Sequence, residues 1–225
     1  MRDTDLFQLA LGLRPPWQVV SCAFSADRQR LDIEIDFSRG SVFTCPGCGR
    51  EGCTAYDTER RTWRHLNFFQ HEAYLSARVP RCNCGGCGVK TVDVPWARPG
   101  SGFTLLFEAL IMGMAKAMPV KSIAGIVNEH DTRLWRVLDH YVHTARQEAE
   151  FSAVTAVGVD ETSSKRGHNY VSLFVDLESS RVLFATEGKD ASTLERFKTD
   201  LEAHHGDPSH IREICCDMSP AFIKG

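Results

Sequence analysis

Strict alternation of apolar and acidic residues defines the first clear element of the chain. Leu31, Ile33, Ile35 and Phe37 fall on one side of an extended segment, and acidic residues occupy the positions between them. This period of two predicts a half-buried strand. A second, mainly extended stretch covers residues 72–79. Each of the two stretches leads into a cysteine-rich turn.

The apolar period becomes helical in the middle of the chain. It predicts three helices, which cover residues 103–118, 120–127 and 131–149. Pro119 suits the first turn of the second helix, and Asp131 or Thr132 suits the N-cap of the third. Two helices joined by a tight turn are typical of a helix-turn-helix. A plain three-helix packing unit is the alternative interpretation.

A further change of period after Phe151 predicts strands again. The expected strands cover residues 157–160, 170–177, 181–186 and 211–216, and an amphipathic helix covers residues 192–204. The first strand ends in Asp160, and Asp217 follows the last. If these two strands are neighbours, both carboxylates lie at one sheet edge and can bind magnesium or manganese. The alternative is that aspartate is simply a common strand terminator.

The composition excludes several classes of protein. The chain has 225 residues, of which 43% are apolar and 24% are charged, as in ordinary globular proteins. No segment approaches the roughly 20 apolar residues of a membrane span, and the N-terminus lacks a signal-peptide pattern. We therefore expect a cytoplasmic protein without a membrane partner. In that compartment the nine cysteines are expected as metal ligands or core thiols rather than disulfides.

Two Cys-x2-Cys pairs give the strongest spacing signal. They are Cys45 with Cys48, and Cys84 with Cys87. Four thiolates in two such turns are typical of a closed, structural zinc site. Buried or redox-active thiols are the alternative, and the roles of two surplus cysteines, Cys53 and Cys82, stay open.

Charge is divided unevenly along the chain, although the net charge is only −3. Residues 45–100 carry eight basic and five acidic side chains, whereas residues 151–225 carry eight and twelve. Between the cysteine pairs, residues 60–65 mix basic residues with a tryptophan, as a nucleic-acid-binding surface would. A solvated basic loop is the alternative. The candidate DNA contacts are Arg61 and Arg64 in this segment, and Arg133 and Arg136 early in the third predicted helix.

Several runs of residues resemble the ISL-three family of bacterial insertion-sequence transposases. These runs are His65–Phe69, Val79–Arg81, Gly88–Thr91, Val94–Gly100, Val159–Thr162, Lys165–Tyr170 and Asp217–Phe222. The resemblance implies a multidomain α+β protein with a β-rich zinc-binding domain, a three-helix helix-turn-helix domain and the N-terminal part of an α/β ribonuclease-H-like domain. We expect an N-terminal helix and lead-in over residues 1–30, with these three domains over residues 31–98, 99–152 and 153–225.

The resemblance also implies roles for individual residues. Asp160 and Asp217 become the first two carboxylates of an Asp-Asp-Glu triad, and the four paired cysteines become zinc ligands. Lys165 and Arg166 join the candidate DNA contacts. Cys82 replaces a usually apolar residue and is interpreted as a non-ligand.

The implied function is that of a transposase that binds the terminal inverted repeats of its element and cuts and joins DNA. Its partners are double-stranded terminal-repeat and target DNA, and we expect a homo-oligomer at full length, associated with the nucleoid. The family's third carboxylate lies far beyond Asp217, and residues 218–225 contain no acid. We therefore expect a fragment that lacks catalysis. A DNA-binding regulator of transposition is the alternative function.

Overall fold

The computed structural model describes residues 2–165 and 169–216. The chain divides into two compact units, residues 1–139 and 140–225. The helices are α1 (Asp3–Ala10), α2 (Leu105–Ala115), α3 (Val120–Val127), α4 (Asp131–Gln147) and α5 (Ala191–Ala203). The strands are β1 (Trp17–Ser25), β2 (Arg30–Phe37), β3 (Val42–Phe43), β4 (Cys53–Phe68), β5 (His71–Cys84), β6 (Gly88–Thr91), β7 (Ala156–Lys165), β8 (Asn169–Asp176), β9 (Arg181–Glu187) and β10 (Glu213–Cys216).

The first unit contains a six-stranded sheet. Its order is β1-β2-β5-β4-β3, and β6 pairs with β5. Strands β2 and β5 run parallel, and the other pairs are antiparallel. Leu31, Ile33 and Ile35 are buried, which confirms the half-buried strand expected from alternation. Three tryptophans, Trp17, Trp63 and Trp96, pack edge to face in the core of this unit.

The long β4–β5 hairpin is the main departure from the predicted elements. Strand β4 has 16 residues, but residues 57–61 are mostly charged and show no apolar alternation. Ion pairs across the sheet balance those charges: Arg81 pairs with Asp57, and Arg60 pairs with Glu34 on β2. Opposite charges on neighbouring strands, as in the Arg81–Asp57 pair between β5 and β4, stabilise a sheet, so this polar segment forms a strand instead of a loop.

Helices α2, α3 and α4 lie within a few residues of their predicted positions. Thr104 caps α2, since its side chain accepts a hydrogen bond from the Phe107 amide. Asn128 ends α3 in the left-handed conformation, with φ of 55°, which asparagine tolerates better than most residues. Among the described residues, no helix is long and apolar enough to cross a membrane.

The second unit contains a four-stranded sheet in the order β10-β7-β8-β9. Strands β7, β8 and β9 form an antiparallel meander, and β10 returns parallel to β7 after helix α5. Phe197 of α5 stacks on Phe174 of β8 with ring centroids 4.3 Å apart. This contact lies in an apolar core that also contains Val157 and Val159 of β7.

Candidate metal centre and nucleic-acid interface

The fold brings the four predicted cysteine ligands together. Cys45 and Cys48 lie in the connection between β3 and β4, while Cys84 ends β5 and Cys87 lies in the turn before β6. Their four sulfur atoms all lie within 4.8 Å of one another, and the Sγ atoms of Cys48 and Cys84 are 3.6 Å apart. Four ligands about 2.3 Å from a tetrahedral zinc ion would be separated by about 3.8 Å. The group therefore has the right size for zinc.

Backbone geometry shapes the two cysteine turns. The Cys45 amide donates to the Arg50 carbonyl at 2.8 Å, and the Gly49 amide donates to the Cys45 carbonyl at 2.9 Å. Gly49 and Gly88, which follow the second cysteine of each pair, have φ of 72° and 71°. Such left-handed backbone favours glycine. In both turns, a glycine with positive φ therefore follows the second cysteine.

Gly47 lies against the sulfur atoms themselves. A Cβ atom at this position would be 3.3 Å from the Sγ atom of Cys87 and 3.9 Å from that of Cys45. These distances leave no spare room for a side chain, so glycine allows the first turn to approach the second pair of cysteines.

The electrostatics of the group favour a bound cation. Backbone amides of Gly86 and Cys87, together with the thiol of Cys48, lower the pKa of Cys84 to about 6. A hydrogen bond with the Cys48 sulfur, and then desolvation, raise the pKa of Cys87 to about 12. The thiolate form of Cys84 is therefore favoured, whereas ionisation of Cys87 among the other sulfur atoms is disfavoured unless a cation offsets the repulsion.

Cys53 and Cys82 are both buried beside this group but are not members of it. The Cys53 thiol donates to the Arg50 carbonyl at 3.6 Å. Desolvation raises the pKa of both thiols, which favours their neutral form. Within the described residues, the four-cysteine group is the one cluster of potential metal ligands close enough to hold an ion.

Burial contradicts the predicted DNA contact at Arg64. Its side chain is only 1% exposed, and its guanidinium group is enclosed by protein atoms, so it cannot reach a phosphate. Arg61 is partly exposed, but it pairs with Glu59 at 2.8 Å. The basic segment between the cysteine pairs is therefore a strand whose charges are largely matched by acids.

The two candidates on α4 have different surroundings. Arg133 pairs with Glu129 and lies over the Phe103 ring, 4.3 Å from its centroid. Arg136 is exposed, and the neighbouring Trp135 is 50% exposed. Within the described part of the chain, no ion pair involves Arg136, whereas Arg61 on β4 is paired with Glu59. The two other candidates, the Lys165 side chain and Arg166, lie outside the described part of the structure.

Asp160 is exposed, and its carboxylate accepts a hydrogen bond from the Glu161 amide at 2.8 Å. It does not end its strand as predicted, because antiparallel pairing with β8 continues β7 to Lys165. The two apolar strands are neighbours, as the metal-site hypothesis requires: β10 pairs in parallel with β7, with Cys216 opposite Val159. Asp217 lies outside the described residues. Glu161 is partly buried, and its Oε1 atom has no hydrogen-bond partner among the described residues.

No pattern in the sequence indicated the acidic residues that surround Arg64. Glu72 and Glu129 each lie 3.9 Å from its Nε atom, although they belong to different elements far apart in the chain. Their positions beside Arg64 can be recognised only when the arrangement of β4, β5 and the α3–α4 turn in space is known.

Three family models match consecutive parts of the chain. Residues 41–87 match the zinc-finger of transposase IS204/IS1001/IS1096/IS1165, which includes all four clustered cysteines. Residues 92–142 match the helix-turn-helix domain of transposase family ISL3, which includes α2, α3 and most of α4. Residues 157–225 match the transposase domain of the same family, which includes Asp160.

Curated relatives agree with these matches. The transposase for insertion sequence element IS1557 of Mycobacterium tuberculosis, in two strains, is 29% identical over 97% of this chain and 50% of its own length. The transposase for IS1001 of Bordetella parapertussis is 22% identical over 80% of this chain and 44% of its own length. The chain thus spans about half the length of the curated relatives it matches. No solved structure matches it. Three matches in order, each to a part of one kind of protein, show that the chain belongs to the ISL3 family of transposases.

Proposed function

We propose that this chain provides the DNA-end-binding region, and part of the catalytic domain, of an insertion-sequence transposase. The full-length parent would bind the terminal inverted repeats of its element and cut and join DNA by metal-assisted phosphoryl transfer. One observation carries the proposal: the three matched regions coincide with a four-cysteine group, a set of three helices and a sheet that carries Asp160. Double-stranded DNA would be its partner in the cytoplasm, at the nucleoid.

Cys45, Cys48, Cys84 and Cys87 would hold the zinc ion. A four-thiolate site leaves no open coordination position, so its role would be structural. It would join the connection before β4 to the turn after β5, beside the buried Cys53 and Cys82. We expect about one zinc per chain. A folded protein that contains no metal would contradict this assignment.

DNA recognition would involve α3 and α4 as the helix-turn-helix. The exposed Arg136 and the partly exposed Arg133 lie in the first turns of α4, where a recognition helix presents side chains to the major groove. Lys165 and Arg166 remain proposed contacts from the second unit. Arg61 would contribute only if DNA displaced Glu59 from its ion pair.

Asp160 and Asp217 would be the first two catalytic carboxylates of a ribonuclease-H-like domain. The parallel register supports this assignment, because Cys216 lies opposite Val159 and each is followed in sequence by an aspartate. Magnesium or manganese, when bound there, would activate the attacking hydroxyl and stabilise the leaving oxygen. The attacking group would be water in the first step and the freed 3′-hydroxyl in the second. A third carboxylate, a glutamate, would complete the triad in the parent.

Binding and cleavage assays on the purified 225-residue chain would test the proposal. We expect specific binding to a duplex that carries the terminal repeat, with weaker binding to a scrambled duplex of equal length. Arg136→Gln should weaken binding and reduce its salt dependence, since it removes one phosphate contact. We expect no cleavage with magnesium or manganese, because the triad is incomplete. Cleavage that Asp160→Ala abolishes would contradict this last expectation, and equal affinity for both duplexes would overturn end recognition.

A further inference from the structure

Arg64 on β4 carries a fully buried positive charge close to the turn of the β4–β5 hairpin, opposite Tyr74. Its Nη1 atom donates to the backbone carbonyls of His65 and Ala73, and its Nη2 atom donates to the Asn67 side chain at 2.6 Å. The Nε atom has no hydrogen-bond partner among the described residues. A buried arginine is costly unless carboxylates compensate its charge, so the groups around Nε are informative.

Two carboxylates from different elements face that Nε atom. Glu72 belongs to β5, and Glu129 belongs to the turn between α3 and α4; each has a carboxylate oxygen 3.9 Å from Nε. The Glu129 side chain is only 7% exposed, and it also pairs with Arg133 in the first turn of α4. One buried guanidinium group therefore joins the sheet to the turn that precedes α4.

A second contact also joins the end of α3 to β5. The Asn128 side chain, at the left-handed end of α3, donates to Glu72 at 2.7 Å. Burial would raise the pKa of Glu72, but hydrogen bonds from Asn128 and Tyr74, with the charge of Arg64, hold that pKa below its usual value. Glu72 therefore stays ionised at neutral pH. The turn is thus attached to the sheet through both Asn128 and Glu129.

Arg64 also contacts the start of the helical region. Its guanidinium group lies 5.0 Å from the ring centroid of Phe107 in α2, within the range of a cation–π contact. Its backbone amide donates to the Gly102 carbonyl, and its carbonyl accepts from the Thr104 amide. The same residue therefore anchors the segment before α2 and the turn before α4.

We infer that Arg64 is a positioning residue, which fixes the α3–α4 turn, and hence the start of α4, on the sheet that carries the four-cysteine group. Its effect on DNA binding rests on the proposed function, but its effect on the turn does not. The zinc-bearing sheet and the first turns of α4 would then present one rigid surface to a DNA end. Removal of Arg64 would loosen that surface without removing a phosphate contact.

Hydrogen exchange on the full 225-residue chain tests the positioning role directly. We expect Arg64→Met to speed exchange about tenfold or more in residues 125–135, while exchange in β2 changes little. Arg98→Met is the matched control, since Arg98 pairs with the buried Glu108 of α2 at 3.0 Å and has no ion pair with the α3–α4 turn among the described residues. Uniform acceleration across the first unit, or the same pattern in both variants, would overturn the inference.

Two further variants keep the test decisive if Arg64→Met does not fold. Arg64→Lys keeps the charge but lacks the planar fork, so we expect the same local acceleration at a smaller size. Glu129→Gln keeps Arg64 and weakens one of its two carboxylate contacts, and it should accelerate exchange in the same segment. If both leave residues 125–135 as protected as in the original chain, Arg64 does not position the turn.

DNA binding separates positioning from direct contact. With the terminal-repeat duplex, Arg64→Lys should lower affinity about tenfold, whereas the slope of log affinity against log salt should stay constant. Loss of a direct phosphate contact reduces that slope by about 0.9, as expected for Arg136→Gln. A comparable reduction for Arg64→Lys would overturn the positioning role. Failure of the original chain to bind the duplex would refute the proposed function, and hydrogen exchange would still decide the role of Arg64.

Discussion

His65 makes the stability of this protein sensitive to acid. Its Nδ1 atom lies 2.8 Å from the Thr104 hydroxyl, and that hydroxyl accepts a hydrogen bond from the Phe107 amide as the N-cap of α2. A hydroxyl that accepts from the amide can donate its single proton to Nδ1 only if the imidazole is neutral. Burial, and then the charge of Arg64, lower the pKa of His65 to about 4.

The size and sign of the change in stability with pH follow from the difference between the pKa of His65 in the folded chain and in the unfolded chain. Between the folded pKa of about 4 and the ordinary value of 6.5, the unfolded chain binds more protons than the folded one. Stability is therefore full above about pH 6.5 and falls as the pH decreases toward 4. One pKa unit corresponds to about 1.4 kcal/mol, so the upper limit is about 3 kcal/mol. Because the imidazole is partly exposed, we expect a loss of roughly 1–2 kcal/mol between about pH 7 and pH 5.

Urea unfolding at a series of pH values measures this contribution. His65→Asn is the matched variant, because its amide oxygen can accept from Thr104 but the side chain does not titrate. Protonation of the clustered cysteines affects both proteins equally, so the difference between them isolates His65. The original chain should lose roughly 1–2 kcal/mol more than the variant over this range. Parallel pH profiles would refute the assignment of a neutral, buried imidazole.

Two further predictions concern the metal centre. Cys84→Ser should reduce zinc content, measured by atomic emission on the purified chain, to well below half of its original value, whereas Cys82→Ser should retain about one zinc per chain; equal loss in both would show that Cys82 is a ligand. Gly47→Ala should weaken zinc binding about tenfold in a chelator competition, because its Cβ would lie 3.3 Å from the Cys87 sulfur. Gly86→Ala is the control for that substitution, since no atom lies within 4 Å of its Cβ position, and equal weakening by both substitutions would contradict the steric argument.

Local pattern was sufficient for the elements that have one apolar face. The alternation in β2 and the helical spacing in α2, α3 and α4 gave positions close to those in the structure. Strand β4 was missed because charged residues occupy much of it, and some of their ion-pair partners lie on other strands, Arg81 on β5 and Glu34 on β2. Cross-strand partners are not visible in a local pattern, so a polar strand looks like a loop.

The sequence was enough to identify the four-cysteine centre, because two short turns with fixed Cys-x2-Cys spacing each supply two ligands, and the fold has only to bring the two turns together. It also determined the apolar run that leads to Asp160. The burial of Arg64, which looked like a DNA contact in a basic segment, became visible only in the folded chain. The fate of a charged side chain depends on the carboxylates and aromatic rings around it, and for Arg64 these come from β5, α2 and the α3–α4 turn. Burial and charge pairing are properties of the assembled fold, and nearby residues in the chain do not encode them.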